Sequence, residues 1–166
     1  VGTLWLVGMM GSGKSSVARA IARRSGRSLL DTDDEVAARS GRSISDWFAE
    51  DEAGFRTAER ELVMARAGEE LVVACGGGVV LDDEAVAAMR ASGTVVWLDA
   101  PVDVLTERVG DGEGRPLLGE DPAGTLSETL EARSTRYAEA AHQRVDARGS
   151  IDEVAERVMG VWANSG

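Results

Sequence analysis

The stretch Gly8-Met9-Met10-Gly11-Ser12-Gly13-Lys14-Ser15 fills every fixed position of the pattern G-x-x-x-x-G-K-[S/T]. Its glycines let the backbone curl so that successive N–H groups point inward at phosphate oxygens. A helix N-terminus just beyond it would add partial positive charge. Gly11, Ser12, Gly13, Lys14, Ser15 and Ser16 are therefore expected to bind a nucleotide. Lys14 is expected to reach the β- and γ-phosphates, and the Ser15 hydroxyl to coordinate Mg²⁺. The bland alternative is a Gly/Ser-rich turn that happens to contain GKS. Against it, Lys14 is the only lysine beside seventeen arginines. Drift from lysine to arginine was tolerated everywhere else in the chain.

A phosphate cradle does not name the acceptor. Three acids in four residues, Asp31, Asp33 and Asp34, are more than one helix cap needs. On an extended chain Asp31 and Asp33 point in different directions, so one can face Mg²⁺ and the other an acceptor hydroxyl. Gly76, Gly77 and Gly78 allow close approach of a ligand to backbone N–H groups. Arg56 has Glu59 one helical turn away, a spacing that allows an ion pair to hold the guanidinium. Arg56 and Arg133 together would make a clamp for a carboxylate. Arg115 lies in a Gly-, Pro- and acid-rich stretch, 110–124, too long for a routine connection. An arginine in such a loop can swing onto a transferring phosphoryl group as the loop closes and excludes water.

These residues need elements to position them. Residues 3–7, 29–30, 71–75, 94–98 and 144–146 read as short strands, several of them continuous apolar runs suited to a parallel sheet buried on both faces. Helices are expected over about 14–26, 34–40, 44–50, 53–67, 83–91, 101–108, 125–141 and 151–163. The buried side of the fourth is expected to hold Phe55, Ala58, Leu62, Val63 and Ala65. Alternation of strand and helix means an α/β domain with helices on both faces. In such a sheet ligands bind outside the carboxyl ends of the strands, where the glycine-rich loop, Asp31–Asp33 and the three glycines all fall.

Composition bounds the rest. The chain has 166 residues, enough for one core without disulfides. Its formal net charge is −11, which argues against a nucleic-acid partner. One cysteine, Cys75, and one histidine, His142, exclude a disulfide scaffold and a histidine-built metal site. Cys75 is expected to be a small buried hydrophobe. No apolar run suits a membrane span and no secretory signal opens the chain, so a cytoplasmic protein is expected. The first residue is Val1 rather than Met, so a few residues are expected to precede it. No sustained apolar stripe marks the surface, which favours a monomer.

The ordered set resembles one family. The glycine-rich loop, LLDTDDEV, GRSISDWF, GFRTAE, CGGGVV, GRPLL and ARSTRYAEAA together are similar to shikimate kinases from about residue 4 to 158. The resemblance implies a P-loop kinase with a five-stranded parallel sheet of order 2-3-1-4-5 and a mobile lid at about 110–124. It implies a substrate-binding excursion at about 32–67 on a core of 1–31, 68–109 and 125–166. The implied reaction moves the γ-phosphoryl of ATP, with Mg²⁺, to the 3-hydroxyl of shikimate. Carried over position by position, Asp33 would bind and help deprotonate the acceptor. Arg56 and Arg133 would grip its carboxylate, and Gly77 and Gly78 would line its site. Arg115 would be the lid arginine, with Ser15 and Asp31 the magnesium positions and Asp31 acting through water. Arg108 would stack on adenine, and Arg148 lies where the adenine loop falls. Trp47, and a stretch between Phe48 and Phe55 about one residue short, depart from the family pattern. The other acceptor considered is another small hydroxylated acid or cyclitol, such as gluconate; a module that binds nucleotide without turnover is the third reading.

Overall fold

The computed structural model describes residues 2–110 and 118–166. Strands β1 (Thr3–Val7), β2 (Ser28–Asp31), β3 (Leu71–Ala74), β4 (Gly93–Asp99) and β5 (Gln143–Asp146) form one parallel sheet in the order β2-β3-β1-β4-β5. All of β1 is buried, as a central strand covered on both faces requires. Its Trp5 lies beside Val73 on one side and Val95 on the other. The flanking helices are α1 (Lys14–Ser25), α2 (Thr32–Ser40), α3 (Ile44–Glu50), α4 (Glu52–Arg66), α5 (Asp83–Ser92), α6 (Val102–Val109), α7 (Pro122–Ala140) and α8 (Ile151–Ala163). Among the described residues no helix is long and apolar enough to cross a membrane.

Helix starts follow local chemistry. Gly13 precedes α1 with φ +89°, a left-handed conformation that a side chain would resist. Asp31 ends β2 and caps α2. The extended Asp31–Asp33 run expected from the sequence is thus a strand end followed at once by a helix. Ser150 and Glu153 close a reciprocal capping box on α8. Helix α7 begins three residues earlier than expected, because Asp121 caps it and Pro122 occupies its first turn.

Helices α2, α3 and α4 share a small core of Val36, Phe55 and Leu62, with Trp47 and Phe48 packed beside it. The apolar stripe of α4 passes through Phe55, Leu62 and Val63, so Ala65 is exposed rather than buried, and the carboxylic acid Glu59 lies inside. Only Asp51 separates α3 from α4; it closes the first and caps the second through Gly54 N–H at 2.9 Å. Trp47 lies over Gly54, where a Cβ would come within 2.9 Å of its ring. The short corner and the large residue at 47 are therefore one packing solution.

Candidate active site

A cavity of about 690 Å³ opens at the carboxyl ends of β1, β2 and β3. One wall is the glycine-rich loop and the start of α1; the other is made by α2, α4, the Gly76–Gly77–Gly78 turn and α7. Gly11, Ser12, Gly13, Lys14, Ser15 and Ser16 all line it. The Lys14 ammonium donates to the carbonyls of Gly8 at 2.7 Å and Met9 at 2.9 Å. Burial lowers its pKa to about 8, against the pull of the Asp33 carboxylate.

Asp31 divides its two oxygens between two tasks. Oδ1 accepts from the backbone N–H groups of Asp33 at 3.1 Å and Asp34 at 3.3 Å. Oδ2 accepts from the Ser15 hydroxyl at 2.7 Å. A hydroxyl and a carboxylate thus meet at the mouth of the loop. These are hard oxygen ligands of the kind Mg²⁺ takes while keeping waters and phosphate oxygens for its other positions. Such a site needs no cluster of acids, and among the described residues no group of three or more His, Cys, Asp or Glu forms one.

Asp33, in the first turn of α2, faces the cavity. Its pKa is raised, first by burial and then by Asp31, while Lys14 and Arg56 oppose the rise. Thr32 beside it is fully buried and accepts from Gly76 N–H at 2.8 Å, tying the start of α2 to the end of β3. Glu59 is 1% exposed, so the pair it makes with Arg56 at 3.0 Å is shielded from water on the carboxylate side. Burial raises its pKa to about 7, although Arg56 pulls the other way. Arg56 also lies over the rings of Phe48 and Phe55, at 5.2 and 5.4 Å.

The glycine turn is shaped by its neighbours' side chains. A Cβ on Gly76 would fall 2.5 Å from Glu59 Oε2 and 2.6 Å from Asp33 Oδ1. A Cβ on Gly78 would collide with the Arg56 guanidinium, and one on Gly77 would come within 3.4 Å of Arg133 Nη1. Arg56 and Arg133 therefore approach adjacent residues of one turn, from α4 and α7. Tyr137, fully buried on α7 and stacked on Trp97, donates its hydroxyl to the Gly77 carbonyl at 2.6 Å.

The two arginines expected near adenine are placed differently. Arg108 is bonded edge-on to carbonyls, at 3.2 Å to Ser12, 3.3 Å to Gly11, 2.6 Å to Ala147 and 3.4 Å to Gly149. It joins the glycine-rich loop to the β5–α8 connection, and its exposed side chain lines the cavity. Arg148 does not line it. Its guanidinium forks onto Asp146, at 2.8 to 3.1 Å, and holds that carboxyl well below the usual range. Ala147, Gly149 and Ile151 form that part of the wall instead. Arg115 and the centre of the expected lid lie outside the described residues.

Sequence reasoning missed Thr32, Tyr137 and the burial of Glu59. Only the last left a signal, its place one turn from Phe55 and Leu62 on the apolar stripe of α4. Cys75 is buried, as expected, and burial pushes its thiol pKa up.

A sequence profile of the family described as shikimate kinase matches residues 10–162. A shikimate kinase of Symbiobacterium thermophilum is 49% identical, over 91% of this chain and 91% of that one. One from Salinibacter ruber is 43% identical, over 95% of this chain and 83% of its own. Among solved structures, shikimate kinase from Acinetobacter baumannii in complex with shikimate superposes with a TM-score of 0.93. Its identity is 31%, over 99% of this chain and 94% of that one.

Proposed function

The chain belongs to the shikimate kinase family, and we propose that its cavity transfers the γ-phosphoryl group of ATP to the 3-hydroxyl of shikimate, giving shikimate 3-phosphate and ADP. The observation that carries the acceptor side is the convergence of Arg56 and Arg133 on neighbouring glycines, with Asp33 on the same cavity. Two guanidinium groups suit one carboxylate, and an aspartate with nearby backbone N–H groups suits ring hydroxyls. The 43–49% identical relatives and the shikimate-bound structure favour shikimate over gluconate.

The geometry supports the following roles, Arg115 excepted. The loop N–H groups and Lys14 hold the β- and γ-phosphates, Lys14 exchanging the Gly8 and Met9 carbonyls for phosphate oxygens. Arg56 and Arg133 orient the acceptor so that its 3-hydroxyl oxygen attacks the γ-phosphorus. The bond to the bridging oxygen breaks and that oxygen leaves on ADP. The hydroxyl proton passes to Asp33, whose raised pKa makes it a better acceptor than an exposed aspartate. Positioning and charge neutralisation carry most of phosphoryl transfer, so no stronger base is needed. Ser15 and Asp31 would hold Mg²⁺, Asp31 through water; when bound, it neutralises charge on the phosphates. Arg115 enters as the lid arginine on its sequence position alone. Residues 32–67 serve as the acceptor-binding excursion and 110–124 as the lid. The reading includes a cytoplasmic monomer without a nucleic-acid partner.

The test is a pair of variants, Arg56→Ala and Arg133→Ala, in steady-state assays of ADP release. Each is expected to raise the KM for shikimate by at least about tenfold and to leave the KM for ATP within about twofold. An unchanged KM for shikimate in both would remove the carboxylate clamp.

A further inference from the structure

The two gripping arginines come from helices far apart in the chain, yet a carboxylate clamp works only at one separation. Both helices are fastened to the same short stretch, residues 76–83. On α4, one turn beyond Arg56, Arg60 Nη1 donates to Asp82 Oδ2 at 3.0 Å. On α7, one turn beyond Arg133, Arg136 Nε donates to the carbonyl of fully buried Val80 at 2.9 Å, and its Nη2 reaches Asp83 Oδ1 at 2.5 Å. Asp82 is itself fixed, because its Oδ1 caps α5 through Ala85 N–H at 3.0 Å. Neither Arg60 nor Arg136 lines the cavity. Asp82 and Asp83 are thus anchor points for two helices.

We propose that Arg60 and Arg136 are positioning residues that set the spacing between Arg56 and Arg133 by bracketing α4 and α7 onto residues 76–83. The inference rests on the carboxylate-clamp reading of the cavity. The bonds are unequal. Asp83 is 86% exposed, so its ion pair with Arg136 contributes little, whereas the Val80 carbonyl is buried and has that donor. Asp82 is only 14% exposed, so its pair with Arg60 is better shielded from water. The bracket therefore depends on Arg60–Asp82 and Arg136–Val80 and only weakly on Asp83.

The experiment compares wild type, Arg60→Met with Arg136→Met combined, Asp82→Asn, Asp83→Asn and Arg136→Lys. Asp82→Asn keeps a side-chain oxygen for the α5 cap while removing the charge that Arg60 meets, so it carries the test if the double variant does not fold. Steady-state constants are read for shikimate, for its methyl ester, which lacks the carboxylate charge, and for ATP. The double variant is expected to raise the KM for shikimate about fivefold or more, with kcat and the KM for ATP within about twofold. Its preference for shikimate over the ester should fall, and a purely structural role would not move that ratio. Asp82→Asn should show part of this effect, Arg136→Lys should recover part of it, and Asp83→Asn should stay within about twofold of wild type. An unchanged preference, or equal rises in both KM values, overturns the bracket. Wild type that fails to use shikimate overturns the acceptor reading instead. The bracket is then judged on a crystal structure of Asp82→Asn or the double variant, where an unchanged separation of Arg56 and Arg133 overturns it.

Discussion

The guanidinium of Arg56 occupies the space that a side chain at Gly78 would need. Gly78 has φ −98°, a conformation open to any residue, so its lack of a side chain answers to Arg56 and not to a turn. Gly78→Ala should therefore displace Arg56 and raise the KM for shikimate by about tenfold or more, with ATP binding unaffected. Gly77→Ala, where the nearest Arg133 atom would lie 3.4 Å away, should be milder. A larger effect at 77 than at 78 would refute this account of the turn.

Lys14 is the one lysine of the chain and lines the phosphate site. Lys14→Ala is expected to reduce turnover by at least about a thousandfold while circular dichroism and melting temperature show a folded protein. Activity within a few-fold of wild type would end the phosphate assignment.

Tyr137 ties α7 to the glycine turn through the Gly77 carbonyl. Tyr137→Phe removes that donor and leaves buried backbone without it, at a cost of about 1–3 kcal/mol. A lower urea midpoint with an unchanged m-value is expected. No change in the midpoint would mean the carbonyl finds another partner.

Glu59 gives stability a pH dependence of definite sign. Its folded pKa of about 7 lies above the ordinary 4.5. The folded state therefore binds more protons between those values, and this contribution, complete below 4.5, is lost as pH rises through about 7. Asp33, also raised, acts in the same direction. Urea midpoints measured from about pH 5 to about pH 8 should fall less in Glu59→Gln than in wild type. Parallel profiles for the two proteins would contradict the burial argument.

The strands of the core and the phosphate-loop motif were legible because each rests on a local pattern. Apolar runs mark β1, β3 and β4, and the glycine-lysine spacing marks the loop; the sheet order itself came from the family resemblance. What escaped depends on packing between distant segments. Whether Glu59 is solvated or buried is decided by what covers α4. Tyr137 matters through a carbonyl 60 positions away. Arg148 matched the adenine loop by position, but Asp146 two residues earlier captures its guanidinium.

The most direct test of the central claim is coupled ADP release with Mg·ATP and shikimate, run beside gluconate, quinate and no acceptor. Release that depends on shikimate and is at least about a hundredfold weaker with the other acids is the predicted result. Release independent of any acceptor, or equal release with gluconate, would contradict the assignment of Arg56, Arg133 and Asp33 to a shikimate site.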